Sequence, residues 1–268
     1  MKRIRVAALA LLTVIYCAAL GARFLAPAHY AAQFREAPNA PPSQRFLLGT
    51  DELGRDRLSR MFYGSQTSLL LAPAAAALST LLAAFVGITA GYLGGWYEKL
   101  TMAGVDLFLS LPWLFLIITV RAALPLNLGP AVSVVVTFAI LGCLGWAASA
   151  RVLCAGVRTM RGSGFMLNAR AMGCSRFRLL AFQLAPNLKP ILWAQFLVSI
   201  PVFVLAEANL SMLGLGVSEP LPSLGGLMRE LENFSTLGSE PWRLAPLLLL
   251  FSCVTAFQMI AAEREVQA

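Results

Sequence analysis

Charge is what this 268-residue chain has least of: 13% of its residues are Asp, Glu, Lys or Arg, against about 25% in soluble domains. With a mean hydropathy of +0.73, that excludes an ordinary soluble domain. No charge lies between Arg60 and Glu98 or between Arg121 and Arg151, and each gap exceeds the roughly 20 residues that cross a bilayer as a helix. Ten-residue stretches of alternating polarity are lacking, which excludes a barrel. Histidine is represented by His29 alone, so no His-Glu-x-x-His site and no intramembrane serine–histidine pair can form. Lys2, Lys99 and Lys189 are the only lysines, and none follows Gly or precedes Ser or Thr. Without a phosphate-binding loop the chain cannot itself hydrolyse ATP. Cys17, Cys143, Cys154, Cys174 and Cys253 form no CxxC pair and read as small apolar side chains. No catalytic, cofactor-binding or metal-ligating set emerges.

What is present is a membrane pattern. Six helical spans are expected at about 5–26, 66–93, 101–124, 131–150, 191–215 and 244–262, making an all-α polytopic protein. Between the fourth and fifth, Arg151 to Lys189 hold seven Lys or Arg and no Asp or Glu, the signature of a cytoplasmic loop. Placing it inside puts both termini inside, with twelve basic residues there against nine outside. The net charge of +8 then reflects orientation in the bilayer, and no nucleic-acid partner is expected. Lys2, Arg3 and Arg5 precede the first uncharged run, and Leu20-Gly21-Ala22 offers no good cleavage site, so the first span is expected to be retained. The chain divides into 1–45, a first span with an outer linker, and 46–268, a membrane domain with its cytoplasmic loop at 151–189.

In the first outer loop Ala37 to Ser43 is a proline-rich linker. Beyond it, Thr50 or Asp51 is expected to cap a short surface helix with Leu58, Met61 and Phe62 on one face, Arg57 and Arg60 pointing away, and Gly64 turning the chain inward. Among ionisable residues in spans, Asp106 and Arg121 sit near span ends, where anchoring or snorkelling suffices. Glu207 is deeper and, with Asn209 and Ser211, is the candidate for a gate or path.

Within the basic loop, Ser163 is positioned to cap an amphipathic helix through Phe165, Met166, Ala169, Met172 and Gly173, with Arg170 on its exposed side. Gly173 stops that helix, and a second piece from Arg176 to Leu184 is expected to end at Pro186. The string Leu167-Asn168-Ala169-Arg170-Ala171-Met172-Gly173, followed by Pro186-Asn187, resembles the "EAA" loop of permease subunits in bacterial ABC importers. Gly49-Thr50-Asp51-Glu52-Leu53-Gly54-Arg55-Asp56 and Glu207-Ala208-Asn209-Leu210-Ser211-Met212-Leu213-Gly214-Leu215-Gly216-Val217 resemble the two signatures of the dipeptide, oligopeptide and nickel branch, in its second, C-type permease. The similarity runs from about Phe46 to Leu247.

The resemblance implies a type I ABC importer permease fold in the cell inner membrane. It also implies a path for peptides shared with a second permease, with two cytosolic ATPases using ATP and an extracytoplasmic solute-binding protein delivering the solute. Nickel or another small solute, or an inactive or divergent paralogue, are the alternatives it leaves. The coupling loop would be Met166, Leu167, Asn168, Ala169, Arg170, Ala171, Met172, Gly173 and Pro186, with Met166, Ala169, Met172 and Gly173 bearing load by packing and Arg170 by charge. Leu167-Asn168-Ala169 stands where the family has Glu-Ala-Ala. The acidic contact to an ATPase must therefore be replaced, weakened or supplied by the partner permease.

Overall fold

The computed structural model describes residues 2–125, 128–175, 178–232, 238 and 240–265, leaving out the side chains of 2–5, 170, 181 and 262–265. Among these residues no strand forms, and the chain is an all-helical polytopic bundle, as expected where lipid cannot satisfy free backbone groups. Its helices are α1 (Lys2–Leu20), α2 (Ala22–Leu25), α3 (Arg57–Leu93), α4 (Gly95–Ser110), α5 (Trp113–Ala122), α6 (Pro130–Leu144), α7 (Trp146–Arg161), α8 (Gly164–Ala171), α9 (Ala185–Met212), α10 (Leu224–Met228) and α11 (Ala245–Glu265).

Arg57–Leu93, Pro130–Arg161, Phe182–Met212 and Pro241–Ala261 are each long and apolar enough to cross a membrane. Together α4 and α5 are also long and apolar enough to count as a fifth, but they are bent by 82° at Leu111 and Pro112, the geometry of a broken span or a re-entrant loop. The expected first span is the shorter apolar helix Val6–Leu20, which lies along α11. The largest apolar core joins α1, α3, α6, α9, α10 and α11 around Leu69, Leu141, Phe203 and Leu210.

At 37 residues α3 is the longest helix, about 55 Å at the usual rise. It packs most extensively on α7. Glycine makes that approach possible: a Cβ at Gly91 would come within 2.8 Å of both Cys154 O and Val157 Cβ, closer than atoms tolerate.

The structure corrects several expectations. The helix that holds Leu58 and Met61 does not stop at Gly64; it is the start of α3, capped by Asp56, whose Oδ2 accepts from Ser59 N at 2.8 Å. Thr50 instead fastens the proline-rich linker, donating to Ala37 O and accepting from Ala40 N. Arg57 and Arg60 turn inward, 7% and 3% exposed, because acidic partners Glu230 and Glu219 arrive from the distant loop between α9 and α11. The basic segment is helical as far as Arg161, so the projecting hairpin begins only at Gly162. Pro186 does not end a helix. It follows a π turn, Leu179–Leu184, in which Ala185 N reaches Leu180 O; the wider turn relieves the clash between a proline ring and the preceding turn. Arg121 does not snorkel but is 1% exposed, donating to Ser133 Oγ and Pro125 O.

Gly91→Ala is expected to lower stability by about 1–3 kcal/mol through this overpacking. At Gly104 a Cβ meets nothing within 4 Å, so Gly104→Ala is expected to be neutral or mildly stabilising. Thermal unfolding in detergent distinguishes them, and equal melting points for the two variants would rule out the close α3–α7 contact.

Candidate functional site

The hairpin is built around two residues that face inward. Helix α8 starts after Ser163, whose carbonyl accepts from Met166 N and Leu167 N, while its hydroxyl turns back to Met160 O at 2.5 Å and leaves the new helix uncapped by a side chain. Met166 and Ala169 are 0% and 2% exposed and pack with Leu179, Tyr92 and Cys174. Tyr92 belongs to the last turn of α3, so apolar burial fixes the hairpin to the end of the longest helix. Gly173 takes φ +76°, the left-handed conformation that ends helices and that proline cannot adopt.

The residues proposed for coupling therefore divide. Leu167, Asn168, Ala171, Met172 and Gly173 are exposed, as is Pro186, whereas Met166 and Ala169 are interior. Of the four residues expected to bear load by packing, Met172 and Gly173 lie on the exposed side, whereas Met166 and Ala169 are taken up by the hairpin's own core. The Arg170 side chain, and the second helical piece at Arg176 and Phe177, lie outside the described residues. Phe165 joins the outward face, 41% exposed beside Leu167 at 53% and Met172 at 77%. Local periodicity puts Phe165 and Met166 on one apolar face, but apolar residues occupy both sides of this short helix and the structure separates the two.

Glu207 is 0% exposed and accepts four hydrogen bonds. Ser211 Oγ and Ser223 Oγ donate to Oε1, both at 2.7 Å, and Gly225 N and Ser68 Oγ donate to Oε2 at 3.2 and 3.3 Å. The donors come from α9, from the start of α10 and from α3, so one carboxyl group joins two spans to the loop that carries α10. Ser223 also caps α10, accepting from Gly226 N at 2.9 Å. A Cβ at Gly225 would lie 2.6 Å from Ala208 Cα, so only glycine lets this loop reach the carboxyl. Of the residues considered for a gate or path, Glu207 and Ser211 point into this closed cluster, and Asn209 is exposed.

Above it lies an ionic network. Glu219 is held by Arg55 Nη1 at 2.6 Å and Arg60 Nη2 at 2.9 Å, and Arg55 Nε meets Asp51 at 2.6 Å. Arg57 Nε pairs with Glu230 at 2.9 Å, and Arg243 with Glu240. All of these groups but Glu240 border a charged cavity of about 350 Å³. Burial alone raises the Glu219 carboxyl, but hydrogen bonds and charge from Arg60 and Arg55 outweigh it and hold the group below the usual carboxylate value. Burial pushes the Glu230 carboxyl up, with Arg57 opposing it in part. On the opposite side of the bundle, Asp106 pairs with Arg151 and Glu98 with Arg158. No group of three or more His, Cys, Asp or Glu able to hold a metal occurs among the described residues.

The structure is thus a polytopic helical bundle with a compact basic hairpin at one end and a tied charged loop at the other, and comparison with known proteins gives its class as a membrane transport component. The family described as "Binding-protein-dependent transport system inner membrane component" matches residues 83–262, and the chain belongs to it. It is 29% identical to the dipeptide transport system permease protein DppC of Bacillus subtilis over 90% of this chain and 73% of that protein. Identity is 33% to the oligopeptide transport system permease protein OppC of Mycobacterium tuberculosis H37Rv, covering 90% of this chain and 81% of the relative. It is also 33% to the di/tripeptide transport system permease protein DppC of Pseudomonas aeruginosa, over 84% and 74%.

Glu207→Ala leaves four donors without an acceptor and is expected to destabilise the protein by about 3 kcal/mol or more. Glu207→Gln, which keeps one acceptor oxygen, should lie between it and wild type. Melting curves of the detergent-solubilised chain check the order. Acidification provides a second test. The Glu219 value is depressed in the folded state, so its stabilisation is present above the ordinary carboxylate value and is lost as pH falls through the folded one. Glu219→Gln should remove that part of the acid loss of stability, and an unchanged pH profile would show that the ion pairs contribute nothing there.

Proposed function

We propose that this chain is the C-type permease of an ATP-driven peptide importer, lining half of the passage while a second permease lines the other half. In this reading two cytosolic ATPases grip the hairpins, an extracytoplasmic binding protein delivers the peptide to the charged outer loop, and both termini face the cytosol. Names of the relatives support a peptide cargo, and the acid-free basic hairpin supports a cytosolic placement.

The observation that carries the reading is the two-sided hairpin. Its inner face, Met166 and Ala169, is locked to Tyr92 at the end of α3, and its outer face presents Phe165, Leu167 and Met172 to the surroundings. A helix held firmly on one side and apolar on the other transmits force from a partner that closes around it. ATP binding would draw the ATPases together, and the hairpin would carry α3, and α7 packed on it, between inward-open and outward-open arrangements. With Leu167 where the family has Glu, the contact with the ATPase becomes apolar in place of ionic. ATP is thus consumed by the partner subunits, and this chain supplies no chemistry of its own.

Copurification of two ATPases and a second permease with the tagged chain, together with ATP-dependent peptide uptake in proteoliposomes, tests the assignment. Leu167→Asp places a charge on the exposed face without disturbing the interior, so melting should be unchanged while ATPase recovery falls at least tenfold. Ala169→Asp buries the charge against Tyr92 and should instead loosen the hairpin and lower the melting temperature. Full ATPase recovery and normal uptake with Leu167→Asp would remove the docking role of this face.

A further inference from the structure

A cavity of about 480 Å³ opens where the α4–α5 span is broken, between the Ser110–Trp113 segment and helices α7 and α9. Its walls are largely apolar, with Trp113, Leu116 and Phe203 prominent, and its polar groups are Ser110, Ser149, Gln195 and Ser199. No charged side chain lines it among the described residues. Three of the polar groups are committed elsewhere: Ser110 Oγ donates to Leu107 O, Ser199 Oγ to Gln195 O, and Ser149 Oγ to the Gln195 side-chain oxygen at 2.8 Å. That last bond orients the Gln195 carboxamide and leaves its nitrogen, with two N–H donors, unused by any described residue. Ser149 stands two residues before Arg151, whose guanidinium pairs with Asp106, and nine before Arg158, so the cavity lies toward the hairpin end of the bundle, beside the interrupted helix pair.

We propose that this cavity is the chain's substrate site and holds an uncharged section of peptide main chain, with the oriented Gln195 amide donating to a peptide carbonyl and the aromatic walls accepting small apolar side chains. The site rests on the transport reading above and names the group that would touch the cargo. A cavity without charge has nothing to pair with an ionised group, so burying one there is unfavourable, and the charged ends of a short peptide must lie beyond its mouth; Gln195 recognises instead the group that every peptide carries. Selection is therefore by backbone and against charge at this point in the passage.

The test uses the complete complex in proteoliposomes with trialanine as cargo. If the wild-type complex shows no ATP-driven trialanine uptake, the reading under Proposed function falls first. Given wild-type uptake, Gln195→Leu should lower kcat/KM for trialanine by about tenfold, the scale of one lost hydrogen bond, while ATP hydrolysis stimulated by the binding protein persists. Ser252→Ala, on an exposed face of α11, should transport normally. A second measurement does not depend on the leucine variant assembling. In a chain with its five cysteines replaced, Ser199→Cys should react with N-ethylmaleimide, and trialanine should slow that reaction. Wild-type uptake by an assembled Gln195→Leu complex, or labelling at 199 indifferent to trialanine, overturns the proposal.

Discussion

A helix in lipid cannot be interrupted without exposing backbone groups that nothing there will bond, and α3 is one such helix from Arg57 to Leu93. Pro73 removes a single backbone donor without breaking it. Three fastenings lie along its length. Arg57 and Arg60 meet Glu230 and Glu219 at one end, Ser68 meets Glu207 further along, and Tyr92 lies under Met166 and Ala169 at the other end. Under the proposed transport role, the continuous α3 would carry a displacement of the hairpin to the Glu207 cluster and on to the loop that holds Glu219. The same helix holds the glycines against which α7 lies, so the two are closely packed.

The polar groups inside the bundle follow one rule. Most hydroxyls in the spans bond to a carbonyl one turn back on their own helix, as Thr80 does to Ala76 O and Thr137 to Ser133 O, which satisfies them locally. Glu207 cannot be satisfied that way, since a carboxyl group with both oxygens buried needs donors from several directions. It obtains them only by drawing α3, α9 and α10 together, and desolvation makes that arrangement costly to open. Specificity of assembly is what the buried acid supplies: an apolar residue of similar size would pack, but would not set the register of the outer loop against two spans.

Much of this was legible in the sequence. Uncharged runs located the long spans, since lipid length and composition alone decide them, and the acid-free stretch located the hairpin. The inward turn of Arg57 and Arg60 was not legible, because their partners Glu230 and Glu219 lie 173 and 159 residues away, and local amphipathicity carries no record of distant charges. For α8 the difficulty was different: with apolar residues on both faces, periodicity cannot tell the anchored side, Met166 and Ala169, from the presented side, Phe165 and Leu167. Pro186 signals a helix end by ordinary rules, and the π turn that accommodates it has no sequence signature. Glu207 stood out as an acid in a span, but its bonding to Ser68, Ser223 and Gly225 is a tertiary fact.

The placement of the cavity follows from which parts of the bundle are tied and which are not. Helix α9 carries Gln195 and Glu207 twelve residues apart, about 18 Å of rise, with Pro201 between them. Proline at that position removes one backbone bond and lets the helix bend there. The Glu207 end is fixed to α3 and the outer loop, whereas the Gln195 end continues into the hairpin through the π turn. Across the cavity stands the α4–α5 span, already interrupted at Leu111 and Pro112 and so able to shift one half without losing helical bonds in the other. Under the proposed role, motion entering at the hairpin would reach Gln195 on the free side of Pro201 and meet a wall that can yield, while the far end of α9 keeps its bonds to α3 and α10. A passage narrowed and widened at this level would need no rupture of the Glu207 cluster, so a buried, four-fold bonded acid and the proposed site could share one helix.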